Sequence, residues 1–239
     1  MSIDPLENRA ADRAAYGSDV DTGLQAHMRR VYNLMCMGLG VTGVTAYAVA
    51  AIPSLTHLIL GTPLAWVVMF APLAFLWIGF SPQRLNSMST EAATSMFIAF
   101  SAVMGLSMST IFIAFTHESI ARVFFITAAT FAATSLYGYT TKRNLASMGS
   151  FMFMGLTGIF FAALFNVFFH SAMIQFVVSV IGIAVFTGLA AWETQMIKES
   201  YRYGDEAANN AMAVRGALSM YLNFINLFQS LIQLMGDRR

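Results

Sequence analysis

Polar side chains recur at helical spacing in the segment 214–235, near the end of an apolar chain. An unsatisfied polar group in hydrocarbon costs several kcal/mol, so each of these side chains needs a partner. Spacings of four, four, three, four and three residues place them within about 80° of one another on a helix. Two interpretations stay open: hydrogen bonds that hold a central helix to its neighbours, or one wall of a polar pathway. The polar face consists of Arg215, Ser219, Asn223, Asn226, Ser230 and Gln233.

Glu193 is the second candidate for chemistry, because it is the first charge after the uncharged stretch 144–192. If Lys198 marks the membrane surface, Glu193 lies roughly 7 Å inside it, and Asn223 lies roughly 12 Å inside Arg215. The two helices are antiparallel and joined by a short loop, so Glu193 and Asn223 can meet. Burial disfavours a charged carboxylate, which makes Glu193 a candidate for proton binding. In the alternative interpretation, Glu193 extends to the lipid headgroups.

An enzymatic site is only weakly indicated. The motif Gly105-Leu106-Ser107-Met108-Ser109 resembles a hydrolase nucleophile motif but lacks its closing glycine. Together with His117 or His170, Ser107 would suggest an intramembrane serine hydrolase. Small residues that pack one helix against another explain the motif better, so we expect no enzymatic activity.

The composition is that of a polytopic membrane protein. Hydrophobic residues make up 57% of the 239 residues and charged residues only 10%, whereas a soluble domain carries about 25% charge. A net charge of +1 gives no reason to expect nucleic acid as a partner. Cys36 is the single cysteine, and the four histidines are scattered without zinc-ligand spacing. We therefore expect the lipid bilayer as a partner and no resident metal or cofactor.

Stretches without Asp, Glu, Lys or Arg predict the number of spans. A membrane helix needs about 20 residues, so the longest two stretches, 31–83 and 144–192, hold two helices each. Pro53, Gly61 and Pro63 mark the turn within the first. An all-α fold of seven transmembrane helices follows, at about 31–52, 64–81, 92–115, 120–140, 148–168, 172–197 and 214–235.

The distribution of basic residues predicts a cytoplasmic N-terminus. The chain then divides into a polar cytoplasmic tail (1–30), a seven-helix domain (31–236) and a C-terminal tail (237–239). A re-entrant last segment would move the C-terminal arginines inside, and charge counting does not exclude it. The predicted inner side carries Arg29, Arg30, Arg84, Lys142, Arg143, Lys198, Arg202 and Arg215, and the outer side carries Arg122, Arg238 and Arg239.

Six segments resemble the Bax inhibitor-1 family in its bacterial branch (transmembrane Bax inhibitor motif proteins). Together they cover nearly all of the chain beyond its first two dozen residues. The most specific are "GLAAWETQMIKE" (188–199) and "ALSMYLNFINLFQ" (217–229). The others are 23–43, 84–89, 104–112 and 120–156.

This resemblance implies seven helices with the last one central and surrounded by the other six, in the bacterial inner membrane. It also implies a pH-sensitive calcium leak, in which two intramembrane acids share a proton and an arginine latches onto them. Arg84 corresponds approximately to that arginine, although it is equally well explained as an anchor at the membrane surface. Some bacterial members instead regulate a membrane-bound AAA protease, which leaves a non-transporting regulator as the alternative function.

The sequence departs from the family at the two acidic positions. Glu193 stands in "WETQ" where the family usually has Asp, and Asn223 stands in "YLNFINLF" where the family again has Asp. Two carboxyl groups in contact cannot both ionise cheaply, whereas a Glu–Asn pair has no such repulsion. We therefore expect an altered pH-sensing site. With Glu193 as its only carboxylate, the site is also expected to bind calcium weakly, since calcium prefers carboxylate oxygens.

Overall fold

The computed structural model describes the backbone of residues 5–80 and 88–239, and the side chains of these ranges from Val20 onward except Leu60. Arg84 lies outside the described residues. Those residues are helical apart from turns and an isolated antiparallel bridge between Phe115 and Arg238. The helices are α1 (Pro5–Ala51), α2 (Pro53–Leu60), α3 (Leu64–Gly79), α4 (Thr90–Ala114), α5 (His117–Thr140), α6 (Ala146–Phe169), α7 (Ala172–Ser200) and α8 (Glu206–Met235).

Five of these helices are long and apolar enough to cross a membrane, namely the Val20–Ala51 part of α1, and α4, α5, α6 and α7. The bent pair of α2 and α3, which meet at 79°, gives a sixth if the pair is counted as one span. Helix length and composition in the described residues therefore support five or six of the seven predicted spans. The seventh predicted span is α8, whose polar residues interrupt its apolar surface.

One predicted boundary differs from the structure. The turn predicted from Pro53 to Pro63 contains helix α2, because proline is favoured in the first turn of a helix, where its missing N–H costs nothing. Helix α1 runs from Pro5 through the predicted tail (1–30) into the first span.

Helix starts are set by short polar side chains, as expected for N-caps. Ser89 accepts a hydrogen bond from the N–H of Ala92 at the start of α4, and Thr116 does the same for α5. Ser171 and Asp205 cap α7 and α8. These caps fix where each helix begins and therefore the depth of the side chains that it carries.

Helix α8 is the most thoroughly packed element. From Ala213 to Ile232, every residue except Arg215 is buried or half-buried. The helix contacts α1, α4, α5 and α7. By contrast, α6 contacts α7, buries Gly149 against Trp192 and leaves most of its phenylalanines exposed.

Residues 236–239 clasp the end of α8 to the turn between α4 and α5. The N–H of Thr116 donates to the carbonyl of Asp237 at 3.0 Å, and the N–H of Arg239 donates to the carbonyl of Ala114 at 3.0 Å. The N–H of Asp237 donates to Ser119 Oγ at 2.9 Å, and its carboxylate pairs with Arg122 at 2.8 Å. This end of the bundle is termed the clasp end.

The opposite end of the bundle is termed the basic end. There Lys198 Nζ donates to the carbonyl of Tyr139 at 2.8 Å, which joins the end of α7 to the end of α5. The guanidinium of Arg30 on α1 donates to Asn210 Oδ1 on α8. Helices α5 and α8 therefore each extend from one end of the bundle to the other, in opposite directions.

Candidate functional site

Glu193 of α7 is buried against two side chains of α8, and the three residues are termed the Glu193 cluster. Ser219 Oγ donates to Oε1 of the carboxylate at 2.5 Å, and Asn223 Nδ2 donates to Oε2 at 3.2 Å. Glu193 is 8% exposed and Asn223 is 4% exposed. The structure thus brings together the two residues whose depths match in the sequence, and it directs Glu193 toward α8 rather than toward lipid headgroups.

The antiparallel packing of α7 and α8 explains this geometry. Ser219 and Asn223 are one helical turn apart, so their side chains lie on the same face of α8 and each reaches one carboxylate oxygen. The helices approach closely at two glycines. A Cβ at Gly216 would lie 3.0 Å from Ile197, and a Cβ at Gly182 would lie 2.6 Å from Ser230 Oγ.

Two further residues of the predicted polar face also lie along α7. Gln233 accepts a hydrogen bond from Gln175 near the clasp end. Ser230 lies against Gly182 and donates to the carbonyl of Asn226 on its own helix at 2.9 Å. Arg215 is exposed near the basic end. Four of the six predicted residues, Ser219, Asn223, Ser230 and Gln233, therefore lie along the seam between α7 and α8.

The Glu193 carboxylate is neutralised by no cation in the described part of the chain. No Lys, Arg or His side chain there lies within 4 Å of it, and the ion pair of Arg122 with Asp237 is at the clasp end. Among the same residues, Asn223 Oδ1 is buried without a hydrogen-bond partner. A buried charge supported by two neutral donors is costly, and binding a proton or a cation relieves that cost.

Arg84, the predicted latch, cannot be placed against this carboxylate because it lies outside the described residues. Over those residues, no group of three or more His, Cys, Asp or Glu side chains is positioned to hold a metal ion. Glu193 is the one carboxylate of its cluster, so any contact with calcium would use a single carboxylate and neutral oxygens.

The serine motif on α4 has a packing role. A Cβ at Gly105 would lie 2.7 Å from the carbonyl oxygen of Thr42, so the glycine allows α4 to approach α1. Ser107 accepts a long hydrogen bond from Thr110 through its carbonyl. In the described ranges, no hydrogen bond joins Ser107 to His117 or His170.

Neighbours of Glu193 on α7 hold the basic end together, and the sequence reasoning missed them. Gln195 is buried, and its Oε1 accepts from the N–H of Leu145 while its Nε2 donates to the carbonyl of Arg143, both at 2.8 Å. Trp192 fills the space above Gly149 of α6. The available signal was a glutamine two residues from Glu193 near the end of an apolar helix, which marks Gln195 as a candidate but does not identify its backbone partners.

A second polar contact, also missed, fixes the opposite side of α8. The Tyr221 hydroxyl lies 2.6 Å from Thr42 Oγ1, which itself donates to the carbonyl of Ser101 at 2.9 Å. Since Thr42 uses its only proton on Ser101, Tyr221 is the donor to Thr42. Tyr221 also meets the rings of Phe97 and Phe100 edge-on. These contacts hold α8 against α1 and α4.

Comparisons with known proteins give matches over nearly the whole chain. A family model described as "Inhibitor of apoptosis-promoting Bax1" matches residues 24–239. The chain is 40% identical to the uncharacterized protein RP147 of Rickettsia prowazekii (92% of each chain) and 39% identical to an uncharacterized protein of Caulobacter vibrioides (96% of this chain, 94% of the relative). It is 38% identical to the inner membrane protein YbhL of Escherichia coli K12, over 91% of this chain and 94% of that protein.

Proposed function

Because the chain belongs to the Bax inhibitor-1 family, we propose that it is a cation leak protein of the bacterial inner membrane, with calcium as the ion that crosses. The observation that carries the proposal is the buried Glu193 carboxylate, held by Ser219 and Asn223 without a neighbouring cation among the described residues. The protein needs no cofactor for this activity, since calcium is its cargo.

In this proposal α8 is a seventh span and the central helix. The clasp joins the end of α8 to the start of α5. The turn between α7 and α8 lies at the other end of α5, where Lys198 donates to the carbonyl of Tyr139. Since α5 is apolar and long enough to span, α8 covers the same distance. The burial of α8 from Ala213 to Ile232, except at Arg215, supports a position inside the bundle.

The N-terminus is cytoplasmic in the proposed orientation. Among the described side chains, the clasp end holds three that are basic, Arg122, Arg238 and Arg239, and the first pairs with Asp237. The basic end holds seven basic side chains of the same set, namely Arg29, Arg30, Lys142, Arg143, Lys198, Arg202 and Arg215. This distribution agrees with the excess of basic residues on the cytoplasmic side of membrane proteins. The relation to the inner membrane protein YbhL supports the same membrane.

The Glu193 cluster acts as the switch. While Glu193 is charged, its two oxygens accept from Ser219 and Asn223 and hold α7 against α8. When Glu193 binds a proton, one oxygen becomes a donor, and Asn223 can turn its carboxamide to present Oδ1, which has no partner among the described residues. A single carboxylate with neutral oxygens holds calcium weakly, which suits passage rather than storage.

Calcium efflux from proteoliposomes at several pH values tests this switch. We expect Glu193→Gln to flatten the pH profile, because the amide cannot bind the proton. Glu199→Gln is the matched control: it removes an exposed acid from the same helix and should keep the wild-type profile. An unchanged pH profile in Glu193→Gln, with normal elution on size exclusion, would show that Glu193 is not the switch.

A non-transporting regulator is the second candidate, favoured by the length of α1. This helix begins at Pro5, whereas its uncharged part begins after Arg30. At 1.5 Å per residue, the preceding polar part is roughly 40 Å long. It offers a surface for a membrane partner such as a membrane-bound AAA protease.

Deletion of residues 1–19 separates these two functions. Loss of a co-purifying protease with unchanged calcium efflux supports both roles in one chain. A retained protease with no efflux at any pH favours regulation alone.

Neither role is enzymatic. The packing of Gly105 against Thr42 accounts for the serine motif, and we propose that Ser107 has no catalytic role. A serine-reactive probe should therefore fail to label the protein. Labelling that disappears in Ser107→Ala would revive the intramembrane hydrolase.

A further inference from the structure

A groove on the outward face of α1 lies at the basic end, apart from the Glu193 cluster. It is a shallow, open depression of about 440 Å³, and all of its lining residues belong to α1. The groove is polar at one end and apolar at the other. It is lined by Ala26, Arg29, Arg30, Asn33, Leu34 and Met37.

Two arginines supply the charge of this groove. Arg29 and Arg30 are both exposed, and in the described ranges no carboxylate lies within 4 Å of either guanidinium. Arg30 is oriented by its hydrogen bond to Asn210 of α8. Asn33 is one turn beyond Arg29 and adds an exposed carboxamide that can donate to an anion.

The apolar part of the groove begins one turn further along α1. Leu34 is half-buried and Met37 is 44% exposed, and both lie beyond the arginines toward the middle of the candidate span. An arginine pair above an apolar surface matches a phosphate headgroup above an acyl chain. A soluble anion would leave Met37 uncovered.

We propose that this groove binds one anionic phospholipid, with its phosphate on Arg29 and Arg30 and an acyl chain along Leu34 and Met37. Arginine suits this role because its planar fork donates two parallel hydrogen bonds to phosphate. The bond from Arg30 to Asn210 connects the lipid to the start of α8. The site does not depend on the proposed ion leak.

Native mass spectrometry of the detergent-purified protein, titrated with dioleoylphosphatidylglycerol or dioleoylphosphatidylcholine, tests the proposal. We expect one phosphatidylglycerol to be retained, with about tenfold weaker binding in Arg29→Gln, which corresponds to one charge-assisted hydrogen-bonded contact of about 1.4 kcal/mol. Arg143→Gln is the matched control. It removes an exposed arginine at the same end of the bundle but outside the groove, and should leave binding unchanged.

Two further variants test how the arginines hold the phosphate. Arg29→Lys keeps the charge but not the fork, and should bind at an intermediate level. Asn210→Ala releases Arg30 without touching the groove, and should weaken binding less than Arg29→Gln does. Equal loss in Arg29→Gln and Arg143→Gln, or equal retention of phosphatidylcholine by the wild type, would overturn the site in favour of general attraction to a basic surface.

Discussion

Replacing Asn223 by Asp puts a second carboxylate beside Glu193. The donor nitrogen of Asn223 lies 3.2 Å from Glu193 Oε2. Two unit charges at that separation repel by about 5 kcal/mol at an effective dielectric constant of about 20. This repulsion is comparable to the whole stability of many proteins, about 5–15 kcal/mol, so the pair must hold a proton between them.

The expected result is a steeper pH dependence of calcium efflux in Asn223→Asp than in the wild type. In the wild type only Glu193 exchanges a proton within the cluster, whereas the variant has two coupled acids. Efflux from proteoliposomes loaded with calcium, measured from pH 5 to pH 9, reports the slope.

Asn226→Asp provides the matched control. Asn226 lies on the same face of α8, less than one turn further along, is half-buried, and has no side-chain hydrogen bond to Glu193 in the described structure. Its replacement adds the same charge away from the carboxylate and should not steepen the profile in the same way. Identical profiles for wild type and Asn223→Asp, or an equal change in Asn226→Asp, would refute the reasoning.

Two predictions concern stability, measured by thermal unfolding in detergent. Gly138→Ala should lower the free energy of unfolding by about 1–3 kcal/mol, because the added Cβ would meet the backbone carbonyl of Ala191. At Gly40 an added Cβ points into open space, so Gly40→Ala should be neutral or stabilising by up to about 1 kcal/mol. Equal effects of the two variants would contradict the close approach of α5 and α7. Asp237→Asn should lower the free energy of unfolding by less than about 1 kcal/mol, because both side chains of the ion pair are exposed, Arg122 by 55% and Asp237 by 67%. A loss well above that value would mean that the pair, rather than the backbone bonds, holds the clasp.

The sequence was sufficient to predict the seam between α7 and α8. The spacing from Ser219 to Gln233 placed the polar side chains on one face, and helical rise placed Glu193 and Asn223 at similar depths. The face and the depth of each side chain both depend only on its distance along the chain. A helix is regular enough for such distances to predict which residues lie at the same level.

What the sequence did not predict depends on how helices rotate and cross. The bond from Tyr221 to Thr42 joins residues 179 positions apart, and neither residue stands out in its own apolar segment. Gln195 was overlooked because its partners are backbone groups of a loop, which no side-chain pattern reveals.

The polar face was interpreted either as hydrogen bonds that hold α8 to its neighbours or as one wall of a polar pathway. In the proposed mechanism these are two states of the same seam. In the described structure, the side chains of Ser219, Asn223 and Gln233 hydrogen-bond to α7, so the seam is closed by its own polar groups. A neutral hydrogen bond contributes about 1 kcal/mol net, and one to a charged group about 1.5–3 kcal/mol. The two bonds to Glu193 therefore dominate the closure, and both lose their charge assistance when Glu193 is protonated. In the proposed mechanism a proton thus weakens the strongest part of the seam, whose polar groups are of the kind that an ion crossing the membrane requires.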